Sequence, residues 1–331
     1  MSSLFPTFAR YPITIVKGKG SRLWDDQGKE YLDFMTGIAV TSLGHVPERV
    51  KNALVNQLDQ LWHVSNLFYN PNQEKAAKLL TDNSCADAVF FCNSGAEANE
   101  AAIKIARRYH QKVLGNERYE IVTFTQSFHG RTLATLTATG QDKVKEGFLP
   151  LPVGFVHVPL NDIEALKAAI TDKTAAIMLE LIQAEGGVLE ADPQFVREVR
   201  ELCDREGILL ILDEIQTGMG RTGKLFAYEH YGIEPDIFTL AKGIGSGFPV
   251  GAMLAKAPLI PAFTAGSHGS TFSGTPIATA AIIATIETML IEQAPERAAA
   301  SGELLISKLR AALNDLPNVV EVRGRGLLVG I

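Results

Sequence analysis

The sequence predicts an α/β protein built on a mostly parallel sheet. Seven short apolar runs alternate with amphipathic segments between about residues 85 and 255. The run ILLILD is apolar on both faces, as a strand requires when helices cover both sides of its sheet. Intervening segments such as DPQFVREVRELCDREG space apolar residues three and four apart, which is typical of one-faced helices. The runs are AVFFC, EIVTF, GFVHV, AAIMLEL, ILLILD, DIFTLA and VGAMLA.

The length of 331 residues predicts two domains. We assign residues 41–275 to a large ligand-binding α/β domain. Residues 1–40, in which LWDDQGKEYLDF predicts a tight hairpin around Gly28, are expected to pack on the second domain or on a partner. Residues 276–331 are assigned to a smaller C-terminal domain of two helices followed by two strands joined at glycines. Because the chain stops within the second strand, we expect this domain to be incomplete.

Composition argues against several classes of function. The formal net charge of -6 provides no broad cationic surface for nucleic acid or anionic lipid. The three cysteines, Cys85, Cys92 and Cys203, form no C-x-x-C pair, which fits a reducing cytoplasm. The N-terminus lacks the basic and apolar regions of a secretory signal. The longest apolar stretch, near residues 277–286, falls short of the roughly 20 residues that cross a bilayer, so no membrane span is predicted.

The strand that ends at Asp213 and Glu214 is the strongest local indication of a site. Open α/β sheets bind their ligands at the carboxyl ends of parallel strands. A carboxylate placed there is costly unless a cation meets it, and a protonated pyridine ring is such a cation. Taken alone, the segment fits equally well an aspartate that only caps a loop.

Lys242 directly follows the next apolar strand, in DIFTLAKGIGSGFPVGAM. A lysine that enters the ligand crevice of the sheet is partly desolvated, which lowers its pKa and frees the amine to form a Schiff base. Most lysines are exposed surface residues. The three glycines after Lys242 argue against that interpretation, because they indicate a backbone held close to a bound group.

The segment NSGAEANEAA predicts a helix N-terminus that can bind phosphate. Ser94 is the expected N-cap, and Glu97 three residues later completes a capping box. Gly95 and Ala96 then present free backbone N–H groups at the positive end of the helix, where a phosphate is stabilised. By itself, a capping box indicates only that a helix begins.

Two other patterns carry less weight. The spacing Gly218-x-Gly220-x-x-Gly223 matches the dinucleotide fingerprint, but its first glycine lies too far from the strand, and KLFAYEHYG does not predict the required helix. His129 and His268 have no second ligand at metal spacing, so no metal site is predicted.

Taken together, SGAEA, SFHGRT, LDEIQTGMGRTG, LAKGIGSGFPVGA and HGSTFSG, in this order and spacing, resemble the class III (ω-type) aminotransferases, which depend on pyridoxal 5′-phosphate (PLP). The resemblance runs from ARYP near residue 9 to GRGLLVG at the end of the chain. It implies a fold-type-I PLP-dependent transferase with a mostly parallel seven-stranded sheet and a smaller C-terminal domain. Within the class, FHGRT and ILLILDEIQTGMGRTG most resemble the branch that acts on N-acetylornithine.

The resemblance implies how PLP is held. Lys242 would carry it as a Schiff base, and Asp213 would keep the pyridine nitrogen protonated so that the ring accepts electrons. Gln216 would bond the 3-oxygen, Phe128 would stack on the ring, and Thr271 would reach the phosphate of the neighbouring subunit's cofactor, which makes the active unit a homodimer. The implied cofactor-binding residues are Ser94, Gly95, Ala96, Phe128, His129, Asp213, Gln216, Lys242 and Thr271.

The resemblance also implies substrate-binding residues. Arg131 matches the position that binds the substrate carboxylate, a task suited to a bidentate guanidinium. Ser270 would touch substrate. Glu185 matches a glutamate that masks a substrate-binding arginine and swings away when glutamate binds; in family members that arginine lies beyond the position of Ile331.

The implied reaction is transamination of N-acetylornithine with 2-oxoglutarate, which gives N-acetylglutamate 5-semialdehyde and glutamate in arginine biosynthesis. Three alternatives stay open. The amino donor is ornithine, succinylornithine or 4-aminobutyrate; the enzyme is a PLP racemase or aminomutase of the same fold; or the chain is a fragment that binds PLP without turnover.

Overall fold

The structure, a computed structural model, describes residues 3–331. The strands are β1 (Ile15–Lys19), β2 (Arg22–Asp25), β3 (Glu30–Leu32), β4 (Ala88–Cys92), β5 (Glu120–Phe124), β6 (Phe155–Val158), β7 (Thr174–Leu179), β8 (Ile182–Gln183), β9 (Leu189–Glu190), β10 (Leu209–Asp213), β11 (Ile237–Leu240), β12 (Gly251–Ala255), β13 (Arg323–Arg325) and β14 (Leu328–Gly330). The helices are α1 (Thr36–Ala39), α2 (Glu48–Leu58), α3 (Pro71–Asp82), α4 (Gly95–Arg108), α5 (Leu133–Ala138), α6 (Ile163–Ala169), α7 (Pro193–Glu206), α8 (Pro276–Ile291) and α9 (Ala294–Leu313).

Shorter turns complete these elements. A π-helical turn, Tyr109–Leu114, extends α4. The helix α1 is a single irregular turn, because Gly37 and Ile38 within it have positive φ. The 3₁₀ turns are Asp142–Val144, Ala227–His230, Lys242–Gly245 and Ala257–Ala262.

The central sheet has seven strands in the order β4-β12-β11-β10-β7-β5-β6. Strand β12 runs antiparallel to its neighbours β11 and β4, and the other strand pairs are parallel. Each of the seven apolar runs in the sequence forms one of these strands. The prediction of a mostly parallel seven-stranded sheet is therefore confirmed.

Both faces of the sheet are covered, which explains why its strands are apolar throughout. Along β7, Ile177 and Leu179 belong to a core cluster that includes Phe195 of α7. Met178, which lies between them, belongs to a second cluster that includes Ile103 of α4. Because neighbouring side chains of a strand point to opposite faces, each strand residue meets one of these two helical layers.

The N-terminal strands β1, β2 and β3 form a separate antiparallel sheet. The turn between β2 and β3 closes where Gly28 N–H donates to Asp25 O over 3.0 Å, and Gly28 has φ +81°. This conformation suits glycine, which has no Cβ to clash. The predicted hairpin is confirmed.

At the other end of the chain, β13 and β14 form an antiparallel hairpin with Arg323 opposite Gly330. Helix α9 packs closely on this hairpin, because a Cβ at Gly302 would lie 2.0 Å from Gly326 O. The prediction of two C-terminal strands joined at glycines is confirmed. The division of the chain after residues 40 and 275 stays a prediction.

Helix α8 is largely buried and packs on α2 and α3. Within residues 3–331, no single helix has the length and apolar content to cross a membrane; α8 and α9 pass that test only as a pair, by length and composition, across a 62° bend.

Candidate active site

A cavity of about 460 Å³ lies at the carboxyl end of the parallel strands. Segments that follow β4, β5, β7, β10 and β11 all contribute to its wall, as expected for an open α/β sheet. The structure therefore brings most of the site residues that we predicted into one place. These residues are Ser94, Gly95, Ala96, Phe128, His129, Arg131, Asp213, Gln216 and Lys242.

The carboxyl group of Asp213 is buried and held in one orientation. Its Oδ2 accepts hydrogen bonds from Asn99 Nδ2 over 2.7 Å and from His129 Nδ1 over 2.8 Å. Its Oδ1 accepts a third from the backbone N–H of Ile215 over 3.1 Å. Asn99 is itself fixed, because its Oδ1 accepts from Thr239 Oγ1 over 2.7 Å. Asp213 thus presents a rigid negative group to the cavity.

Lys242 opens the 3₁₀ turn after β11, with φ +48°, and lines the same cavity as Asp213. Burial lowers the pKa of Lys242 below the ordinary lysine value, while the nearby carboxylates of Asp213 and Glu185 oppose the shift. In a larger fraction of molecules Lys242 therefore carries the neutral amine, the form that attacks a carbonyl carbon.

Two of the glycines after Lys242 pack closely against other parts of the protein. A Cβ at Gly243 would lie 2.9 Å from Met219 Cβ, and one at Gly245 would lie 2.8 Å from Val250 Cγ1. Gly247 has φ +105°. Packing within the protein accounts for Gly243 and Gly245, and Gly247 lines the first cavity. The expectation that these glycines mark a backbone held close to a bound group stays a prediction.

The start of α4 forms another part of the wall. Ser94 is the N-cap, because its Oγ accepts from the Glu97 N–H over 3.2 Å. Glu97 does not complete the expected capping box; its carboxylate accepts from the Asn93 N–H over 2.7 Å, one residue earlier. The first N–H groups of a helix lack intrahelical acceptors, so those of Gly95 and Ala96 are suited to an anion in the cavity.

A second cavity of about 770 Å³ adjoins the first, since Phe128, Arg131 and Lys242 line both. Arg131 is exposed and its guanidinium carbon lies 5.6 Å from the centre of the Phe128 ring. Glu185 also lines this cavity, and its Oε1 accepts from Gln216 Nε2 over 3.2 Å. The remaining wall includes the apolar side chains Phe8, Ile38, Leu133, Leu136 and Phe148.

Ser270 and Thr271 lie outside both cavities. Ser270 Oγ accepts from Asn93 Nδ2 over 2.9 Å, and Asn93 lines the first cavity. Thr271 is exposed and lies in a separate small pocket with His63 and Asn66. Their roles towards substrate and towards a neighbouring subunit's cofactor stay predictions.

Sequence reasoning missed two residues, Asn99 and Glu180. Glu180 is 3% exposed, lines the first cavity directly after β7, and accepts from the Phe128 N–H over 2.8 Å. Its burial, together with the charge of Asp213, raises the pKa of Glu180 well above its usual range. An acid at the end of an apolar strand was the signal used for Asp213, and it applies equally to AAIMLEL.

Taken together, these groups match the functional groups of PLP. The amine of Lys242 suits the aldehyde carbon, the fixed carboxylate of Asp213 suits a cationic ring nitrogen, and the start of α4 suits the phosphate. A Cβ at Gly95 would lie 2.8 Å from Ile215 Cδ1, so glycine lets the start of α4 pack closely against the segment that follows Asp213. Among the described residues, no group of three or more His, Cys, Asp and Glu side chains is arranged to hold a metal ion.

The fold and the site together define an enzyme that uses PLP. A family model described as aminotransferase class-III matches residues 7–331. The chain belongs to the class-III aminotransferases, and its cofactor is PLP.

Acetylornithine aminotransferases are similar to this chain over nearly its whole length. The acetylornithine aminotransferase of Halalkalibacterium halodurans is 57% identical over 98% of this chain and 83% of its own length. The acetylornithine aminotransferase of Bacillus subtilis is 52% identical over 100% of this chain and 84% of its own length.

Solved structures share the fold. An ornithine aminotransferase from Toxoplasma gondii ME49 superimposes with a TM-score of 0.95 at 35% identity, covering 98% of this chain and 78% of that one. Another structure of the Toxoplasma gondii enzyme has partial occupancy of PLP at the active site, with a TM-score of 0.94, 35% identity and the same coverage. The acetylornithine aminotransferase of Elizabethkingia anophelis gives a TM-score of 0.86 at 32% identity, over 97% of this chain and 79% of that one.

Proposed function

We propose that this chain transfers the δ-amino group of N-acetylornithine to 2-oxoglutarate, forming N-acetylglutamate 5-semialdehyde and glutamate, in arginine biosynthesis. The observation that carries the proposal is that Lys242 and Asp213 line the same cavity. An amine of lowered pKa and a fixed carboxylate would therefore contact the same small molecule. Identities of 57% and 52% to acetylornithine aminotransferases support the choice of amino donor.

Four parts of the chain hold PLP. Lys242 Nζ would hold the aldehyde carbon, Asp213 would stabilise the positive charge at the ring nitrogen, Phe128 would orient the ring, and the start of α4 would bind the phosphate. When bound, PLP supplies an electron sink for the substrate carbon. Lys242 Nζ would act as general base on the amine-bearing carbon of the substrate and, once protonated, as general acid towards the carbon that was the aldehyde carbon of PLP, so that the proton moves from one carbon to the other.

The second cavity favours the acetylated donor. Arg131, which lines both cavities, would bind the substrate carboxylate, and much of the remaining wall of the second cavity is apolar. An uncharged acetamido group loses less solvation free energy on such a wall than the charged α-ammonium of ornithine would. In this proposal, discrimination against ornithine comes from the apolar part of the wall, which includes Phe8, Leu133 and Phe148. The acid of the same wall, Glu185, is engaged by Gln216 Nε2.

The proposed active unit is a homodimer in the cytoplasm. Thr271 is exposed and lies outside the two active-site cavities of its own chain, which suits a residue that reaches a neighbouring subunit's cofactor. Trp62, Leu67, Phe68 and Phe272 in the same part of the chain are exposed apolar side chains of the kind enriched at subunit interfaces. The free state of Cys85, Cys92 and Cys203 fits the reducing cytoplasm.

The test compares amino donors in single half-reactions. Purified protein with PLP is mixed with N-acetylornithine, ornithine, succinylornithine or 4-aminobutyrate, and the loss of the visible band of lysine-bound cofactor is followed. We expect the fastest loss with N-acetylornithine and recovery of the band with 2-oxoglutarate. Fastest loss with another amine would reassign the donor, turnover independent of 2-oxoglutarate would indicate a racemase or aminomutase, and a band unaffected by any amine would indicate a PLP-binding fragment.

A further inference from the structure

Two buried carboxyl groups, those of Glu180 and Asp213, share the first cavity. Glu180 is 3% exposed and Asp213 is 4% exposed. Two neighbouring carboxyl groups shielded from water are not both ionised at low cost, so one of them keeps its proton. The question is which of the two carries the negative charge.

The hydrogen bonds decide between them. Asp213 accepts from three N–H donors, those of Asn99, His129 and the Ile215 backbone. Glu180 accepts a hydrogen bond from the backbone N–H of Phe128 over 2.8 Å. Fewer hydrogen bonds therefore stabilise a negative charge on Glu180 than on Asp213. Because donated hydrogen bonds favour the charged form, the charge belongs on Asp213 and the proton on Glu180.

The charged groups that face Glu180 lead to the same assignment. Asp213 at the end of β10 and Glu185 between β8 and β9 disfavour a further negative charge, whereas Lys242 after β11 favours one. Burial is the largest influence, and it acts with the two acids to raise the pKa of Glu180. Lys242 lowers the pKa of Glu180 by less than burial and the two acids together raise it.

We propose that Glu180 is a positioning residue of the active site: a neutral carboxyl group that holds the Phe128 backbone and leaves Asp213 as the one anion at the cofactor ring. Phe128 and Phe248 both line the cavity, and Phe128 is the one whose backbone N–H Glu180 holds. This anchor therefore fixes the position of one aromatic wall against which the ring of PLP would rest. A second anion beside Asp213 would compete with it for Lys242 and for the cationic ring nitrogen. The inference rests on the PLP site and not on the identity of the amino donor.

Two substitutions separate a neutral anchor from a charged group. Glu180→Gln keeps an acceptor oxygen at the same reach and is neutral at every pH, so we expect PLP affinity within about threefold of the parent. Glu180→Asp keeps the acid but withdraws it by one methylene from the Phe128 N–H, and we expect PLP to bind about tenfold more weakly. Both are measured by titrating the apo protein with PLP. The opposite order, with Asp tolerated and Gln not, would overturn the proposal.

A spectroscopic measurement tests protonation without turnover. The infrared spectrum of the apo protein at neutral pH should contain the C=O stretch of a protonated carboxyl group that is absent in Glu180→Gln. Glu164→Gln, at an exposed position of α6, makes the same Glu-to-Gln change far from the cavity and should leave that band and the PLP affinity unchanged. Absence of a Glu180-dependent band would overturn the proposal, while loss of selectivity among amines alone would affect only the proposed donor.

Discussion

Asn99 Nδ2 donates a hydrogen bond to Asp213 Oδ2 over 2.7 Å, and this bond joins helix α4 to the end of strand β10. Gly95, whose N–H faces the proposed phosphate site, lies on the same helix four residues earlier. Residues four apart lie on one face of a helix, about one turn from each other. A single rigid helix therefore fixes both the anion-binding end of the cavity and the carboxylate at its other end.

We predict that Asn99→Ala weakens PLP binding more than it changes the fold. The substitution removes one donor from Asp213 and leaves Thr239 Oγ1 without its acceptor in a buried site. Such a loss costs about 1–3 kcal/mol, which corresponds to a fall in affinity of about fivefold to 150-fold if it is expressed in binding. PLP titration and urea unfolding of the apo protein measure the two effects separately.

The control is Asn52→Ala on the exposed side of α2, which should leave both measurements unchanged. Equal PLP affinity in Asn99→Ala and the parent would show that Asp213 does not depend on this bond.

Lys242 predicts a pH dependence of stability in the apo protein. Its pKa is lowered in the folded state, so between that value and the ordinary lysine pKa the unfolded chain binds more protons. Stability of the parent therefore rises with pH across this window, and Lys242→Met, which has no proton to lose, lacks that rise. Urea unfolding at several values up to about pH 10 measures it.

Lys51→Met on exposed α2 controls for loss of a lysine charge and should keep the slope of the parent. The same stability profile for Lys242→Met and the parent would mean that Lys242 titrates alike in both states. The Lys242→Met variant should also show no visible band with PLP and no cofactor fixed by borohydride.

Gly251 supports the N-cap of α4 from strand β12. A Cβ at Gly251 would lie 2.6 Å from Ser94 O and 3.0 Å from Cys92 Sγ. Because the backbone of the N-cap has little freedom to yield, we predict that Gly251→Ala displaces the phosphate site, costs about 1–3 kcal/mol of stability and weakens PLP binding.

Gly269→Ala is the matched substitution at an open position. Within the part of the chain that the structure describes, apart from the residues adjoining it in the chain, no heavy atom lies within 4 Å of a Cβ at Gly269, so this variant should behave like the parent. If both variants bind PLP equally well, the close contact at Ser94 does not shape the site.

The sequence was sufficient to predict the sheet and the cavity wall, because both depend on local patterns. Each apolar run became a strand, and acids or lysines placed directly after strands met at one edge, as the geometry of parallel strands requires. Asp213 and Lys242 were found in this way. Glu180 satisfies the same rule and was overlooked, since AAIMLEL continues with apolar residues beyond it.

Other features depend on contacts between distant segments. Asn99 looks like an ordinary polar position of a helix, and only the packing of α4 on β10 brings it to Asp213. Gly243 has its reason in Met219, 24 positions earlier in the chain. No periodicity or motif spacing reports such pairs, because the same local sequence allows many tertiary neighbours.

The three cysteines provide a test of the packing around the sheet. Burial raises the pKa of Cys85 to about 11 and that of Cys92 to about 12, and it also raises the pKa of Cys203. The thiolate is the reactive form, and near pH 8 only a minute fraction of each cysteine is present as thiolate. We predict that a chromogenic disulfide reagent modifies the native protein slowly and all three cysteines quickly in urea. Cys85 is the least buried, so Cys85→Ser should remove most of the slow native reaction; rapid labelling of the native Cys85→Ser variant would show that Cys92 or Cys203 is open to solvent.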